Sequence, residues 1–390
     1  MISNYPRCCT PVLLLIFWCG LSTAQPWQRH TIDGTLKGAD GVRLADFNGD
    51  GLQDVVTGWE ESGVVRLYVN PGPNRATDPW PAVTVGLGKS PEDAVAFDVD
   101  GDGQLDVVSC HEGKQQQILV HRCTQPNASS QHVLEKDSWQ TQSFSQANGQ
   151  QWMFATPLKL RREVALVAGS KGKNASITLL IRPAKAAEPL SKWKVVRIRS
   201  AGWIMSLYVI DMDGDGDQDV VFSDRKGGKR GVAWLEQPDT DVSNEWIEHP
   251  VGGSEGEPLF IDASRDRILV ASRNATWTDF RRSKDGSWNS EVHSNPTDIP
   301  HGKAIRRLAT DQLVMTSNTA SDKLQSLRPG IWFKQGQQAW HPIGSETRVK
   351  FDRIECIDLD GDGDLDVMTC EERRNLGVVW YENPAVKVTD

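Results

Sequence analysis

The sequence predicts an all-β protein, a seven-bladed β-propeller whose last blade is closed by the N-terminal strand. Two observations support this prediction. An acidic loop of fixed spacing occurs four times, and a pattern of short β-branched strands recurs at intervals of about fifty residues. Repeats of this length, built of several short strands, are typical of propellers, in which each blade is a four-stranded antiparallel sheet.

The strand pattern accounts for seven blades. Segments such as "VVRLYVNP", "GVAWLEQP" and "GVVWYENP" are β-branched and end in proline, and a tryptophan then opens a further short strand. These tryptophans are Trp80, Trp139, Trp193, Trp246, Trp288 and Trp340. A seventh, Trp27, precedes the first acidic loop, whereas the last repeat has no fourth strand of its own. The N-terminal strand is therefore expected to complete the last blade and to remove the open edges of the ring. The tryptophans are expected to fill space between blades.

The acidic loops predict calcium sites. They read "DFNGDGLQD", "DVDGDGQLD", "DMDGDGDQD" and "DLDGDGDLD". Closely spaced carboxylates repel one another unless a cation lies among them, and oxygen ligands suit calcium. The twelfth position counted from Asp358 is Thr369 rather than glutamate, which excludes an EF-hand. About four structural calcium ions are expected, one in each loop. The side chains at positions one, three, five and nine would be ligands, together with a backbone ligand at position seven. The ligand residues are Asp46, Asn48, Asp50, Leu52 and Asp54 in the first loop; Asp98, Asp100, Asp102, Gln104 and Asp106 in the second; Asp211, Asp213, Asp215, Asp217 and Asp219 in the third; and Asp358, Asp360, Asp362, Asp364 and Asp366 in the fourth.

The N-terminus predicts export. Residues 1–24 have the features of a signal peptide: a basic residue at Arg7, the short apolar run "PVLLLIFWCGL", and small residues before a cleavage point after Ala24. A lipoprotein would instead use Cys19, which follows a bulky tryptophan. Residues 25–390 would then form a secreted, periplasmic or cell-surface propeller with no transmembrane segment. The net charge of −9 and the absence of a basic patch argue against nucleic acid as a partner.

Cysteines leave two possibilities open. Cys110, Cys123, Cys356 and Cys370 would remain after cleavage, in an oxidising compartment. They allow three pairings, among which Cys356 with Cys370 is conceivable on one hairpin. Free buried thiols are the alternative.

The acidic loops resemble the FG-GAP and VCBS-type repeats of secreted bacterial propellers and, more distantly, the head of the integrin α-chain. The resemblance covers the whole predicted mature chain and implies calcium with a structural role in each loop. Integrin-type repeats carry Gly-Ala-Pro after the loop, where this chain has Gly58-Trp59-Glu60. The ligand binding of integrins is therefore not expected to transfer.

A ligand site is expected on the face opposite the loops, where first strands begin and second strands end. The expected mouth residues are Asp40, Asp93, Glu112, Asp352, Glu371 and Glu372. The main hypothesis is a non-catalytic module that binds a protein or carbohydrate, since no nucleophile elbow, HExxH, P-loop or Cys-x-x-Cys motif is present.

The alternative is a carbohydrate-active lyase or dehydratase. Some rhamnogalacturonan lyases and an aldos-2-ulose dehydratase are similar in using metal-bearing propellers. His111 or Glu60 would then be the base, and Asp40, Asp93 and Asp352 would hold a metal that polarises the substrate.

Overall fold

The protein is an all-β, seven-bladed propeller, as the sequence predicts. The computed structural model describes residues 26–125, 129–185, 188–242, 245–318 and 327–384. Within them, seven antiparallel sheets of four strands each form the ring. The predicted signal peptide at residues 1–24 lies outside the described residues.

In every blade the first strand is innermost. Blade 1 consists of β2 (Ala39–Ala45), β3 (Asp54–Trp59), β4 (Val64–Tyr68) and β5 (Ala82–Leu87). Blade 2 consists of β6 (Pro91–Phe97), β7 (Asp106–His111), β8 (Ile118–Cys123) and β9 (Trp139–Ser143). Blade 3 consists of β10 (Gln151–Lys159), β11 (Val164–Lys171), β12 (Ser176–Ile181) and β13 (Lys194–Ser200). Blade 4 consists of β14 (Ile204–Ile210), β15 (Asp219–Asp224), β16 (Gly231–Glu236) and β17 (Ile247–Gly252).

The remaining blades repeat this order. Blade 5 consists of β18 (Pro258–Ala263), β19 (Arg267–Ser272), β20 (Thr276–Arg282) and β21 (Trp288–Ser294). Blade 6 consists of β22 (Gly302–Ala309), β23 (Gln312–Ser317), β24 (Gly330–Gln335) and β25 (His341–Pro342). Blade 7 consists of β26 (Phe351–Ile357), β27 (Asp366–Glu371), β28 (Gly377–Glu382) and the N-terminal strand β1 (Gln28–Asp33). Within the described ranges the helical segments are one short α-helix, α1 (Ser130–Val133), and four 3-10 turns: Pro73–Arg75, Lys136–Ser138, Ser145–Ala147 and Leu190–Lys192.

The N-terminal strand closes the ring. β1 pairs antiparallel with β28, from Gln28 opposite Glu382 to Asp33 opposite Val378. Trp27, just before the strand, packs against Phe333 of blade 6 with ring centroids 5.3 Å apart. The predicted closure is confirmed, and the closing segment also contacts a neighbouring blade.

Apolar side chains fill the space between blades. The cluster between blades 7 and 1 includes Ile32, Trp59, Met368 and Trp380, all buried. Three of the tryptophans that open fourth strands also fix the preceding connection. The indole N–H groups of Trp80, Trp139 and Trp246 each donate to a backbone carbonyl four to six residues upstream, at 2.9, 2.9 and 3.1 Å. Trp80, Trp139, Trp193 and Trp246 are buried, in agreement with the predicted packing role, whereas Trp288 and Trp340 are partly exposed.

The four cysteines within the described residues are free thiols. Cys356 lies opposite Val367 across the hairpin of β26 and β27, three residues from Cys370, so that pair is out of register. In the part of the chain that the structure describes, no helix has the length and apolar character needed to cross a membrane.

Candidate functional site

The four acidic loops join the first and second strands, so they all lie on one face of the ring. In the first loop the carboxylate of Asp46 accepts hydrogen bonds from the backbone N–H groups of Gly49 and Gly51, at 2.7 and 2.9 Å. These glycines have φ angles of 72° and 86°, a left-handed conformation that side chains with a Cβ rarely adopt. The other three loops have the same pair of left-handed glycines. The spacing of the motif thus follows from the backbone that wraps it.

The ninth residue of each loop ties the loop to the end of the third strand or to the residues just beyond it. The carboxylate of Asp106 accepts from the N–H of Val99 in the loop, at 3.0 Å, and from the N–H of Cys123 in β8, at 2.8 Å. The same two bonds recur in the other loops, where the accepting residues are Asp54, Asp219 and Asp366. These aspartates therefore hold the hairpin whether or not they also contact an ion.

The loops have a donor set that fits a hard divalent cation. In three loops the carboxylate oxygens of positions one, three and nine lie within 4.8 Å of one another: Asp98, Asp100 and Asp106; Asp211, Asp213 and Asp219; Asp358, Asp360 and Asp366. Burial, with a contribution from neighbouring carboxylates, raises the pKa of Asp106 and Asp366 to about 7. Burial likewise raises the pKa of Asp54 and Asp219 to about 6. Oxygen-only ligands with this much charge suit calcium.

The remaining predicted ligands lie in the same loops. The amide of Asn48 donates to Asp50 at 2.9 Å, so the first loop has one carboxylate fewer at position three. The backbone N–H of each seventh residue bonds to the side chain of the fifth, at 2.8 to 3.1 Å: Leu52 to Asp50, Gln104 to Asp102, Asp217 to Asp215 and Asp364 to Asp362. Ligation by the carbonyls of these seventh residues stays a prediction. Arg161 also reaches the third loop and donates to Asp217 at 2.8 Å.

A cavity of about 380 Å³ opens at the centre of the opposite face, which we call the mouth. All seven blades line it. The second residue of the inner strand lines it in six blades: Asp40, Glu92, Met205, Leu259, Lys303 and Asp352. The residue that follows the second strand lines it in five: Glu60, Glu112, Arg225, Arg273 and Asn318. Met153, Phe154, Lys171, Trp203, His301, Lys350 and Arg373 complete the lining.

A β-bulge or register irregularity near the mouth end of the inner strand occurs in every blade. It lies between Asp40 and Arg43 in blade 1 and between Gly302 and Ala304 in blade 6, and the other five blades have it at the equivalent place. Bulges turn side chains away from the regular alternation of a strand. They therefore help to determine which side chains at this end face the cavity.

Carboxylates from blades 7, 1 and 2 form one side of the mouth, the acidic arc: Asp40, Glu60, Glu92, Glu112, Asp352 and Glu372. Burial, together with the charges of Asp352 and Glu92, raises the pKa of Asp40 well above its usual range. Burial raises the pKa of Glu92 to about 7, although the ammonium group of Lys171 opposes the shift. The pKa of Glu60 is also raised, by burial and by the nearby Glu372.

The other side of the mouth, from blades 3 to 6, is cationic. We define this basic arc as Lys171, Arg225, Arg273 and Lys303. Trp203 lies within it, with Lys171 Nζ 4.7 Å and Arg225 Cζ 4.3 Å from the ring centroid. Burial, followed by the charge of Arg273, lowers the pKa of His301 to about 4, so this ring is neutral at physiological pH.

Ion pairs join the two arcs at both boundaries. Lys171 contacts Glu112 and lies 3.8 Å from Glu92. Lys303 lies 3.3 Å from Asp352 at the other boundary. The charged groups of the mouth are thus arranged with opposite signs on opposite sides.

Three residues expected at the mouth or as a base do not line the cavity. Asp93 is fully buried and receives two hydrogen bonds from the guanidinium of Arg43, at 2.8 and 2.7 Å. Glu371 is buried and accepts backbone N–H groups, including those of Lys350 and Arg374 at 2.7 and 2.8 Å. His111 is buried between Ser109, at 2.7 Å, and the carbonyl of Lys89, at 2.8 Å.

Burial lowers the pKa of His111 to about 4. Of the two residues considered as a base, only Glu60 lines the cavity. The expected mouth residues Asp40, Glu112 and Asp352 line it as well, and Glu372 lies against Asp40 and Glu60.

Sequence reasoning missed much of the basic arc and its surroundings. Trp203 and Lys350 immediately precede inner strands, and Lys303 is the second residue of one. The rule that located Asp40 and Asp352, which looks where inner strands begin, covers all three positions, and only Lys303 lies in a blade without an acidic loop. Lys171 is the last residue of the second strand of blade 3, a blade without an acidic loop, and the same rule extended to that blade would have located it.

Asp93 provides a stability prediction. We expect Asp93→Asn to lower the free energy of unfolding by about 3–5 kcal/mol, because it leaves the buried charge of Arg43 without its partner. Denaturant unfolding measures the loss. The matched control is Asp298→Asn, which breaks the exposed pair with Arg328 and is expected to cost at most about 1 kcal/mol. Equal losses in the two variants would contradict the role of the buried pair.

The fold defines the class of protein, a seven-bladed β-propeller. Residues 46–109, which span the first two acidic loops, match the FG-GAP-like repeat family. The resemblance to FG-GAP repeats inferred from the loops is thereby confirmed for this part of the chain. A comparison of the sequence with curated proteins finds no match.

Solved propellers resemble the chain in fold. A crystal structure of BBS1N in complex with ARL6DN has a TM-score of 0.52 and 11% identity, covering 93% of this chain and 98% of the other. The WD40 β-propeller domain of Doa1 has a TM-score of 0.52 and 10% identity, covering 92% and 98%. YCF48 bound to D1 peptide has a TM-score of 0.55 and 11% identity, covering 92% and 96%. At these identities the likeness extends to the fold alone.

Proposed function

We propose that this chain is an exported, calcium-binding β-propeller that acts as a binding module for an acidic segment of a protein or glycan. The observation that carries the proposal is the cavity at the mouth, which has convergent polar groups from all seven blades. A concave site with a few charged groups and an apolar floor is the usual form of a ligand site. Calcium in the four loops has a structural role on the far face.

The basic arc favours an anionic group on the ligand. Arg225 contacts Glu257 through Nε at 2.9 Å, and Arg273 lies 3.7 Å from the same carboxylate. The carboxylate of Glu257 is thus shared by the guanidinium groups of Arg225 and Arg273. Charge-assisted hydrogen bonds from guanidinium to carboxylate are strong and geometrically specific.

The remaining residues of the cavity would contact the parts of the ligand that surround its anionic group. Met153, Phe154, Met205 and Leu259 provide apolar surface for the carbon skeleton of a ligand. Cations lie near the ring of Trp203, which disfavours a role for this ring as an open stacking platform for a neutral sugar. The site is therefore better suited to a charged ligand than to a neutral one.

A second candidate function is sugar lyase or dehydratase activity. It is favoured by Glu92, a cavity carboxyl whose pKa burial raises to about 7, the range of a general base at neutral pH. Glu60 lines the same wall. The ammonium groups of Lys171 and Lys303 could then stabilise the negative charge that develops when a proton is removed next to a carboxylate.

One experiment tests both functions. Immobilised protein loaded with calcium is exposed to acidic and neutral polysaccharides and to acidic peptides, and binding is measured by interferometry. We expect an acidic ligand to bind, and Arg225→Gln and Arg273→Gln each to weaken it by about 10- to 100-fold, the loss of a charged hydrogen bond. Ultraviolet absorbance of unsaturated uronyl products reports any lyase activity in the same samples.

The matched control is Arg75→Gln, an exposed arginine on the connection between β4 and β5. It should bind as the wild type does. Failure of every acidic ligand to bind would contradict the proposal, and binding that survives both mouth substitutions would place the ligand elsewhere. Product formation that is lost in Glu92→Gln would favour the enzyme.

A further inference from the structure

A second group of carboxylates with the geometry of a metal site lies in the mouth, far from the acidic loops. Oxygens of Asp40, Glu60 and Glu372 lie within 4.8 Å of one another, and Glu60 makes a similar group with Glu92 and Glu112. The three residues come from blades 1 and 7 and belong to no repeat of the loop motif. They therefore require an explanation separate from that of the loops.

Lysines compensate only half of the acidic arc. Its six carboxylates face three lysines, since Lys171 pairs with Glu112 and approaches Glu92, Lys303 pairs with Asp352, and Lys350 pairs with Glu372. Neither Asp40 nor Glu60 forms an ion pair with any residue that the structure describes. Asp40 and Glu60 thus lie beside other carboxylates without a lysine partner, in an enclosed space where repulsion between like charges is only weakly screened.

An independent observation points to a missing partner at the same place. Asp352 is 3% exposed, its carboxyl lies against that of Asp40, and its Oδ1 has no hydrogen-bond donor among the described residues. Oε2 of Glu372 is also buried without a donor. Burying a carboxylate oxygen without a hydrogen-bond donor costs free energy, because the oxygen loses its hydrogen bonds to water and forms none within the protein.

We infer that the mouth binds a divalent cation through Asp40, Glu60 and Glu372, with Asp352 beside it. The ligands are all carboxylate oxygens, which select calcium, magnesium or manganese over softer metals. The group of Glu60, Glu92 and Glu112 is the less suitable position, because Lys171 lies against two of its three carboxylates, whereas Lys350 pairs with only one carboxylate of the other group, Glu372. This inference does not depend on the proposed anionic ligand, which would contact the opposite arc.

Counting bound ions tests the inference. The protein is stripped with chelator, dialysed against calcium or against manganese, and the ions bound per chain are measured by elemental analysis. Glu60→Gln is the test variant, because the side chain of Glu60 accepts no hydrogen bond from the described residues. We expect it to bind one ion fewer than the wild type with at least one of the two metals. That difference does not depend on how many ions the loops hold.

The neighbouring exposed residue supplies the control. Glu61→Gln makes the same charge change one position along the chain, outside both carboxylate groups, and should bind as many ions as the wild type. Equal ion counts in wild type, Glu60→Gln and Glu61→Gln with both metals would overturn the inference, as would equal losses in the two variants.

Circular dichroism of the calcium-loaded samples shows whether the test variant is folded. Glu60→Gln should give the wild-type spectrum, because the side chain of Glu60 accepts no hydrogen bond from the described residues that the substitution would break. If its spectrum differs, Asp40→Asn provides the same count by a second route. Ligand binding through Arg225 is measured separately, so failure of the cation site and failure of the ligand site are distinguishable.

Discussion

Chelation of calcium is expected to unfold the propeller, or to lower its melting temperature by tens of degrees. A ligand that binds only the folded state at 100 times its dissociation constant stabilises that state by about 2.7 kcal/mol. Four loops would therefore contribute roughly 11 kcal/mol, which is comparable to the whole stability of a typical domain, about 5–15 kcal/mol. Calorimetry of calcium-loaded and chelated samples measures the difference, and restored calcium should reverse it.

A single-loop variant identifies the loops as the cause. Asp102→Ala removes the fifth-position ligand of the second loop and should reduce the calcium-dependent gain by about a quarter, or ~2.7 kcal/mol. The control is Asp285→Ala, which alters an aspartate that caps an ordinary turn by accepting from Ser287 at 3.0 Å. If the melt is unchanged after verified metal removal, the structural role of calcium is wrong.

The same measurement has a pH dependence whose sign follows from the raised pKa values. Without the ion, burial raises the pKa of Asp106 and Asp366 to about 7, against about 3.9 in an unfolded chain. The calcium-free fold therefore binds extra protons between about pH 4 and 7, and the stability that they contribute is lost as pH rises through 7. Calcium has to displace those protons. The melting gap between loaded and chelated protein should accordingly be widest above pH 7 and should narrow towards pH 5.

Deletion of residues 25–33 is expected to cost more than about 5 kcal/mol and to leave the protein unfolded or aggregated. The deletion removes β1 and two buried side chains, Trp27 and Ile32, each worth about 1.5–3 kcal/mol. It also breaks the contact of Asp33 with blade 1, where the hydroxyl of Tyr68 donates to its carboxylate at 2.8 Å. The freed edge of β28 would be open to pairing between molecules.

A peptide of residues 25–33 makes this test specific. Added in excess to the deletion variant, it should restore the melting transition by pairing with β28. Gln28→Ala is the matched control, because Gln28 is an exposed residue of the same strand and its replacement should change little. A deletion variant as stable as the full chain would refute the role of the closing strand.

The number of blades and the positions of the loops could be predicted because they depend on local patterns. Asp358 to Asp366 encode their own turn through the left-handed glycines Gly361 and Gly363, whatever the rest of the chain does. The closing strand was predictable for a related reason. A final repeat that is one strand short leaves an open edge in the ring, and the strand that follows Trp27 belongs to no other repeat.

The mouth was only partly predictable. Strand order determines that Asp40, Asp93 and Asp352 lie at one end of the ring, but it does not determine which way each side chain points. Successive side chains of a strand face opposite sides, so Glu92 lines the cavity while Asp93 is buried against Arg43.

The sequence by itself determined the blades, the loops and the closure, because each depends on the chain's own periodicity and on a few glycines and aspartates. Only the tertiary structure decided the composition of the mouth. The bulges of all seven inner strands and the packing between blades set the direction of each side chain there. These bulges and contacts place the acidic arc on one side of the mouth and Trp203 and Arg273 on the other. Trp203 and Arg273 are more than a hundred positions from Asp40 in the sequence, and only closure of the ring brings them to the same cavity.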